Sequence, residues 1–242
     1  MSNYKLIGVG TNAKTIKGDG SEYLTAILYM TPYKVMVDGK LFNSCSMAAM
    51  ASCIEGCLYT AGRGKFSNVQ TARQRKAEWF YRDRVGFMKQ LYHDIQKFSN
   101  YCKKRGIQPC VRLNGTTDIR WELIPAMPHN KMNIFQEFPE VQFYDYTKIP
   151  NRKVADYPNY HLTWSYSSAN PKYEELFWDV IRKGMSVAVV FRKPINMTTW
   201  RGYKVVDGDK DDLRFLDPQS SIVALYAKGA AKHDSTGFVQ DI

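Results

Sequence analysis

From Cys110 onward the sequence is a series of short apolar runs, each closing in a polar or glycine-containing tip, and this punctuation constrains the fold more than any single motif. Val111-Arg112-Leu113 runs into Asn114-Gly115-Thr116-Thr117-Asp118, and Val141-Gln142-Phe143-Tyr144 into Asp145-Tyr146-Thr147-Lys148. The runs at 160–164, 186–191, 203–206 and 222–226 end likewise in Ser165, Arg192-Lys193, Asp207-Gly208-Asp209 and Ala227-Lys228-Gly229. Runs of this length between such tips read as strands. Helical stretches fall between several of them, clearest at 172–183, with one short turn at 133–138. Strands separated by helices imply βα units and a parallel sheet.

Upstream, apolar runs at 5–9 and 23–30 and a weaker one at 34–41 read as early strands. The last surrounds Asp38-Gly39, a pair that favours a type I′ hairpin turn. Six strand-like runs after these approach the count of a (β/α) barrel, although 242 residues require a trimmed one. The expectation is one α/β domain over residues 1–242, a (β/α) barrel-like fold, partial or distorted, with an N-terminal strand and hairpin extension. A mixed sheet is the alternative. Residues 1–60 hold the strand, hairpin and cysteine segment, 61–105 a basic helical segment and 106–242 the βα units.

The best helix spans about residues 71–98, where Phe80, Phe87, Met88, Leu91, Ile95 and Phe98 fall on one stripe. It lies within the most charged part of the chain. Of the net charge of +11, the segment 60–105 carries +9, from 12 basic against 3 acidic residues. Such a segment is either a solvated helix face or a surface that contacts phosphates. On the second reading Arg63, Lys65, Arg73, Arg75, Lys76, Arg82 and Arg84 bind nucleic acid, DNA before RNA.

With 44% hydrophobic and 24% charged residues the chain is expected to build a packed core, which excludes a disordered or collagen-like protein. No run approaches 18 apolar residues, and the start, MSNYKLIGVG, has no signal-peptide pattern. The expected location is the cytoplasm, with no membrane partner; the oligomeric state is open.

Several groups of residues are candidates for chemistry. Cys45, Cys53 and Cys57 crowd into thirteen positions before a Gly-Arg-Gly turn. Three thiolates can ligate three irons of a [4Fe-4S] cluster and leave the fourth iron to S-adenosylmethionine. Buried thiols in an Ala/Met-rich segment are the alternative, and a zinc site would need a fourth ligand. The stretch from Gly8 to Thr15 resembles a phosphate-binding loop whose inner glycine is replaced by Ala13. The acidic run Asp207-Gly208-Asp209-Lys210-Asp211-Asp212 is a solvated tip or a cation site. In a parallel arrangement the strand tips gather on one rim. That rim makes Asp118, Asp145, Lys148 and Asp207 candidate catalytic groups, and Arg112, Asn114, His161 and Ser165 candidate substrate-binding groups. Aromatic residues near the tips, such as Tyr144, Tyr146 and Trp164, suit base stacking or core filling.

The motifs Asn12-Ala-Lys-Thr15, Ala61-Gly-Arg-Gly64, Val111-Arg-Leu-Asn-Gly-Thr-Thr-Asp-Ile119, Phe143-Tyr-Asp-Tyr-Thr-Lys148, Asn159-Tyr-His-Leu-Thr163, Val205-Val-Asp-Gly-Asp209 and Asp212-Leu-Arg-Phe-Leu-Asp217 carry a resemblance over nearly the whole chain. The chain resembles the bacteriophage and prophage proteins grouped as gene product eighty-eight. More distantly it is similar to phage radical-SAM-like barrel proteins. There the shared features are Cys45/Cys53/Cys57, the segment from Arg112 to Asp118, and Thr147-Lys148 with Arg152. The resemblance implies a phage origin and action in the host cytosol. Two functions follow as expectations. One is an enzyme modifying a nucleobase or nucleotide with a Fe-S/SAM-type barrel site. The other is a non-catalytic nucleic-acid-binding or host-interaction protein using the same basic surface.

Overall fold

The computed structural model describes residues 5–10, 13–18, 20 and 22–241. Thr11 and Asn12, within the loop that resembles a phosphate-binding one, lie outside the described residues. The elements run β1 (Ile7–Val9), α1 (Ala13–Gly18), β2 (Tyr23–Leu28), β3 (Lys34–Val37), β4 (Lys40–Asn43), α2 (Ser67–Arg82), α3 (Arg84–Lys103), β5 (Gln108–Arg112), α4 (Ile134–Glu137) and β6 (Gln142–Thr147). They continue with β7 (Tyr160–Ser165), α5 (Pro171–Glu174), α6 (Leu176–Arg182), β8 (Val187–Phe191), β9 (Thr199–Trp200), β10 (Tyr203–Asp207), β11 (Ile222–Tyr226) and β12 (Val239–Gln240).

The strands expected from the sequence all form. β3 and β4 make the separate hairpin, and Asp38 and Gly39 both take positive φ (49° and 75°), as a type I′ turn requires. The long helix is two helices. Asp83 leaves helical geometry (φ −135°, ψ 79°) and its carboxylate accepts the Gly86 N–H at 2.8 Å, so it ends α2 and caps α3.

Among the described residues the main sheet has ten strands in the order β1-β2-β5-β6-β7-β8-β11-β10-β9, with β12 on β8. From β2 through β10 every pairing in that order is parallel. β12 continues along the β8 edge beyond β7: β7 pairs with Val187 and Ala188, β12 with Val190 and Phe191.

Among the described residues the sheet does not close, so the mixed α/β class holds and a (β/α) barrel is not shown. Each end of the parallel run is covered by an antiparallel strand, β1 on β2 and β9 on β10, and these do not pair with each other. Side chains span the gap instead. Lys14 of α1 meets Asp209, just past β10, at 2.7 Å, and donates to the Gly208 carbonyl at 2.9 Å.

Strand alternation separates two faces. One is apolar: Val111, Phe143 and Leu162 pack with Phe80, Phe87, Leu91, Ile95 and Phe98 of α2 and α3. Further along, Trp164, Val187, Val189 and Ile222 pack with Tyr173, Phe177, Val180 and Ile181 of α5 and α6. Each such side chain removed from water contributes about 1.5–3 kcal/mol. The other face carries Thr25, Arg112, Tyr144, Tyr146, His161 and Thr163. The segment 208–217 covers it, with the Phe215 ring against Tyr23 and Tyr144 at 5.6 and 5.4 Å.

Candidate active site

Parallel pairing sets the carboxyl ends of β5, β6 and β7 side by side, and the residues just past them meet. The Lys148 ammonium donates to Ser165 Oγ at 2.7 Å. The Lys148 backbone N–H donates to Asp118 Oδ2, and the Thr147 hydroxyl to Asp118 Oδ1, both at 2.8 Å. Arg152 Nη1 lies 3.5 Å from the same carboxylate. Burial raises the Asp118 carboxyl above the usual carboxylate range, against the lowering effect of the Lys148 N–H, Arg152 and Thr147. A carboxyl group that holds its proton more tightly, beside a lysine bonded to a hydroxyl, is equipped for general acid–base chemistry. The Phe238 ring, 4.9 Å from Lys148 Nζ, closes one side.

Arg152 is fixed from behind. Its Nε donates to Glu122 Oε1 at 3.0 Å and its Nη2 to Tyr160 Oη at 3.0 Å. Glu122 is nearly fully buried, and sequence reasoning misses it because a lone acid after a strand tip carries no spacing signal.

The other expected rim residues divide by role. Asn114 holds the loop that presents Asp118: its Oδ1 accepts from Thr117, Ile119 N–H and the Trp121 indole, and its Nδ2 donates to Ile119 O. Asp145 lies behind that loop, accepting the Leu113 and Asn114 N–H groups, and burial pushes its carboxyl up to about 7. Both are scaffold to the Asp118–Lys148–Ser165 group. Asp207 is exposed at the end of β10 and accepts the Asp209 N–H at 2.8 Å. Arg112 and His161 lie on the polar face of the sheet, where Arg112 pairs with Asp212 at 2.6 Å. The rest of the acidic run is ion-paired: Asp209 with Lys14 and Lys228, Asp212 with Arg112, and Asp211 with Arg214.

Beside Asp118 lies an open groove of about 390 Å³, lined by Asn43, Ser44, Ser46, Tyr81, Arg84 and Arg120 among others. Asp118 is part of its wall, whereas Lys148 and Ser165 are not among its lining residues.

The three clustered cysteines approach the same edge. Cys45, Cys53 and Cys57 form no disulfide, and each is partly buried. Cys45 Sγ accepts the Tyr33 N–H at 3.4 Å and donates to Thr116 O at 3.9 Å, and the Cys53 thiol donates to Ala48 O at 3.7 Å. Burial pushes the Cys45 thiol up to about 11 and raises Cys57. Cys57 lies within electrostatic reach of Cys45, Cys53, Lys148 and Arg73. Three thiols around one edge match in number the donor set of a cluster with one open iron. Among the described residues no group of three or more His, Cys, Asp or Glu could hold a metal ion as it stands. The thiols would have to draw together to bind either a cluster or a metal ion.

The basic segment is only partly a free surface. Arg73 donates to Tyr59 O at 3.1 Å and stacks over the Tyr29 and Tyr59 rings, and Lys76 donates to Leu6 O at 2.6 Å. Arg82 pairs with Asp38 at 2.8 Å, and Arg84 lies over the Phe80 ring at 3.5 Å. Arg63, Lys65 and Arg75 are exposed, with no ion pair among the described residues. On α3 a second open groove, of about 480 Å³, is lined by His93, Gln96, Lys97, Tyr101, Lys104 and Arg105. Among the described residues no helix is long and apolar enough to cross a membrane.

A scan against protein-family models matches residues 4–242 to the family described as Gene product 88. No curated protein and no solved structure matches.

Proposed function

The chain belongs to the gene product 88 family, and from the geometry of its carboxyl edge we propose that it is a phage enzyme modifying a nucleobase or nucleotide. The observation that carries this reading is the meeting of Lys148, Ser165 and Asp118 past three adjacent parallel strands, with Cys57 within reach of Lys148. Open parallel sheets bind their ligands at this edge. Lys148 would move a proton to or from the substrate, with Ser165 Oγ holding its ammonium in place. Asp118, aligned by Thr147 and the Lys148 N–H, would act as the companion acid, and Arg152 would stabilise its anion. The groove that Asp118 lines would take the part of the substrate that lies beyond Lys148 and Ser165, with Arg84 and Arg120 near its phosphates.

Drawn together from their present positions, Cys45, Cys53 and Cys57 would hold a [4Fe-4S] cluster. With S-adenosylmethionine on its open iron, such a cluster supplies one-electron chemistry. The exposed Arg63, Lys65 and Arg75 would contact nucleic-acid phosphates.

The test is to express the protein in a bacterial host, digest host DNA and RNA to nucleosides, and compare their masses. A nucleoside of new mass that disappears with Lys148→Ala supports the reading. Unchanged nucleosides in both fractions, from soluble protein carrying its iron, would overturn it.

A further inference from the structure

A parallel sheet covered on both sides is normally apolar on both faces. Here one face carries Arg112, Tyr144, Tyr146, His161 and Thr163, and its cover, the segment 208–217, is charged. Asp212 of that segment pairs with Arg112 at 2.6 Å, and Arg214 pairs with Asp211 and Asp217 at 2.9 and 3.0 Å.

Beneath and within this cover, seven buried side-chain atoms have no hydrogen-bond partner among the described residues: Arg112 Nε, Tyr146 Oη, His161 Nε2, Thr163 Oγ1, Arg214 Nε and Nη1, and Asp217 Oδ2, the last two ion-paired with each other at 3.0 Å. Arg112, Thr163 and Arg214 are 7%, 0% and 2% exposed, so solvent does not reach them. Orphaned buried groups are rare, and a concentration of them calls for a partner. They converge because Tyr146 and Thr163, like Tyr144 and His161, are cross-strand neighbours, and because the turn Arg214–Leu216 packs on β7. The arginine nitrogens are donors and the Tyr146 and Thr163 hydroxyls can donate or accept, and the aromatic ring beside them, Tyr144, is met by Phe215 at 5.4 Å.

We infer that this face is a ligand chamber, closed here by the segment 208–217, for an uncharged planar heterocycle of the nucleobase or nucleoside class. The choice of that class rests on the proposed function. Phe215 stands where a heterocycle would lie against Tyr144, and the orphaned donors would serve the acceptors on its edge. Charge argues against a phosphate within the chamber, because Asp211, Asp212 and Asp217 already match Arg112 and Arg214. The phosphates of a polymer would stay outside.

The experiment is hydrogen exchange and calorimetry on the full chain with each common nucleoside and its monophosphate. One nucleoside is expected to bind and to slow amide exchange within 208–217. Phe215→Ala, which removes the ring held against Tyr144, should bind it about tenfold more tightly, and Tyr146→Phe more weakly. Unaltered exchange in 208–217 at millimolar nucleoside would overturn the inference, as would binding of monophosphates alone. If Phe215→Ala does not fold, the exchange pattern of the wild-type chain decides. Nucleoside-dependent protection in a protein that modifies no nucleic acid keeps the chamber and removes the reaction. Modification without that protection removes only the chamber.

Discussion

Lys148 and Ser165 meet because Thr147 and Trp164 are register partners on β6 and β7, so the next residue of each strand faces the other across 2.7 Å. A register slip of one residue would turn the two side chains to opposite faces. The pair is therefore a product of sheet geometry, and loop sequence does not set it.

If Lys148 moves the proton, Lys148→Met should lower the yield of modified nucleoside by about 10²- to 10⁴-fold, while thermal unfolding stays close to that of the wild type. Ser165→Ala should lower it less, because the lysine loses only the hydrogen-bond acceptor that holds its ammonium in place. Equal yields from the wild type and Lys148→Met would remove Lys148 from the chemistry.

Glu122→Ala should cost about 3–5 kcal/mol in urea unfolding, because it leaves the Arg152 guanidinium buried without its main partner. An effect below about 1 kcal/mol would mean that water or Asp118 takes over the guanidinium.

His161 gives a pH dependence with a definite sign. Burial, with Arg214 nearby, lowers its imidazole from the ordinary value to about 4. The folded state therefore binds the proton less well than the unfolded one. The contribution from neutral His161 is fully present above about pH 6.5 and is lost as pH falls toward 4. Relative to His161→Gln, the wild type should lose stability across that interval and run parallel to it above pH 7. A difference that stays constant from pH 7 to 4 would contradict the burial of the ring.

Nucleic-acid binding should depend on the exposed cations. Replacing Arg63, Lys65 and Arg75 by Ala should weaken binding across unrelated sequences and reduce the salt slope by about 0.7–0.9 for each phosphate no longer neutralised. Arg82→Ala, which opens an exposed pair with Asp38, should change the slope far less. The reverse ranking would place the phosphate-binding surface elsewhere.

The strand tips are legible in the sequence because a run such as residues 141–144 closing on Asp145 to Lys148 marks a strand end in any topology. Hence Asp118, Lys148 and Ser165 stand out as candidates without any knowledge of how they meet. Sheet closure is not legible, since it depends on β1 and β9 returning antiparallel, and β9 is only two residues long. The break at Asp83 is hidden because the apolar stripe continues from Phe80 to Phe87 across it. Net charge locates the basic segment but not its use, because Arg73 and Lys76 spend their donors on the Tyr59 and Leu6 carbonyls. Arg112 and His161 read as rim residues, whereas strand alternation turns them to the polar face.

The most direct test of the account is anaerobic reconstitution with iron and sulfide, followed by the visible spectrum and iron content of the wild type, Cys53→Ser and Cys102→Ser. The account predicts broad absorbance near about 400 nm and about four irons per chain in the wild type and in Cys102→Ser, whose thiol is buried in the α3 core. It predicts neither in Cys53→Ser. A colourless, iron-free wild-type protein that remains folded and binds nucleic acid would contradict it, and would leave the basic surface as the functional part of the molecule.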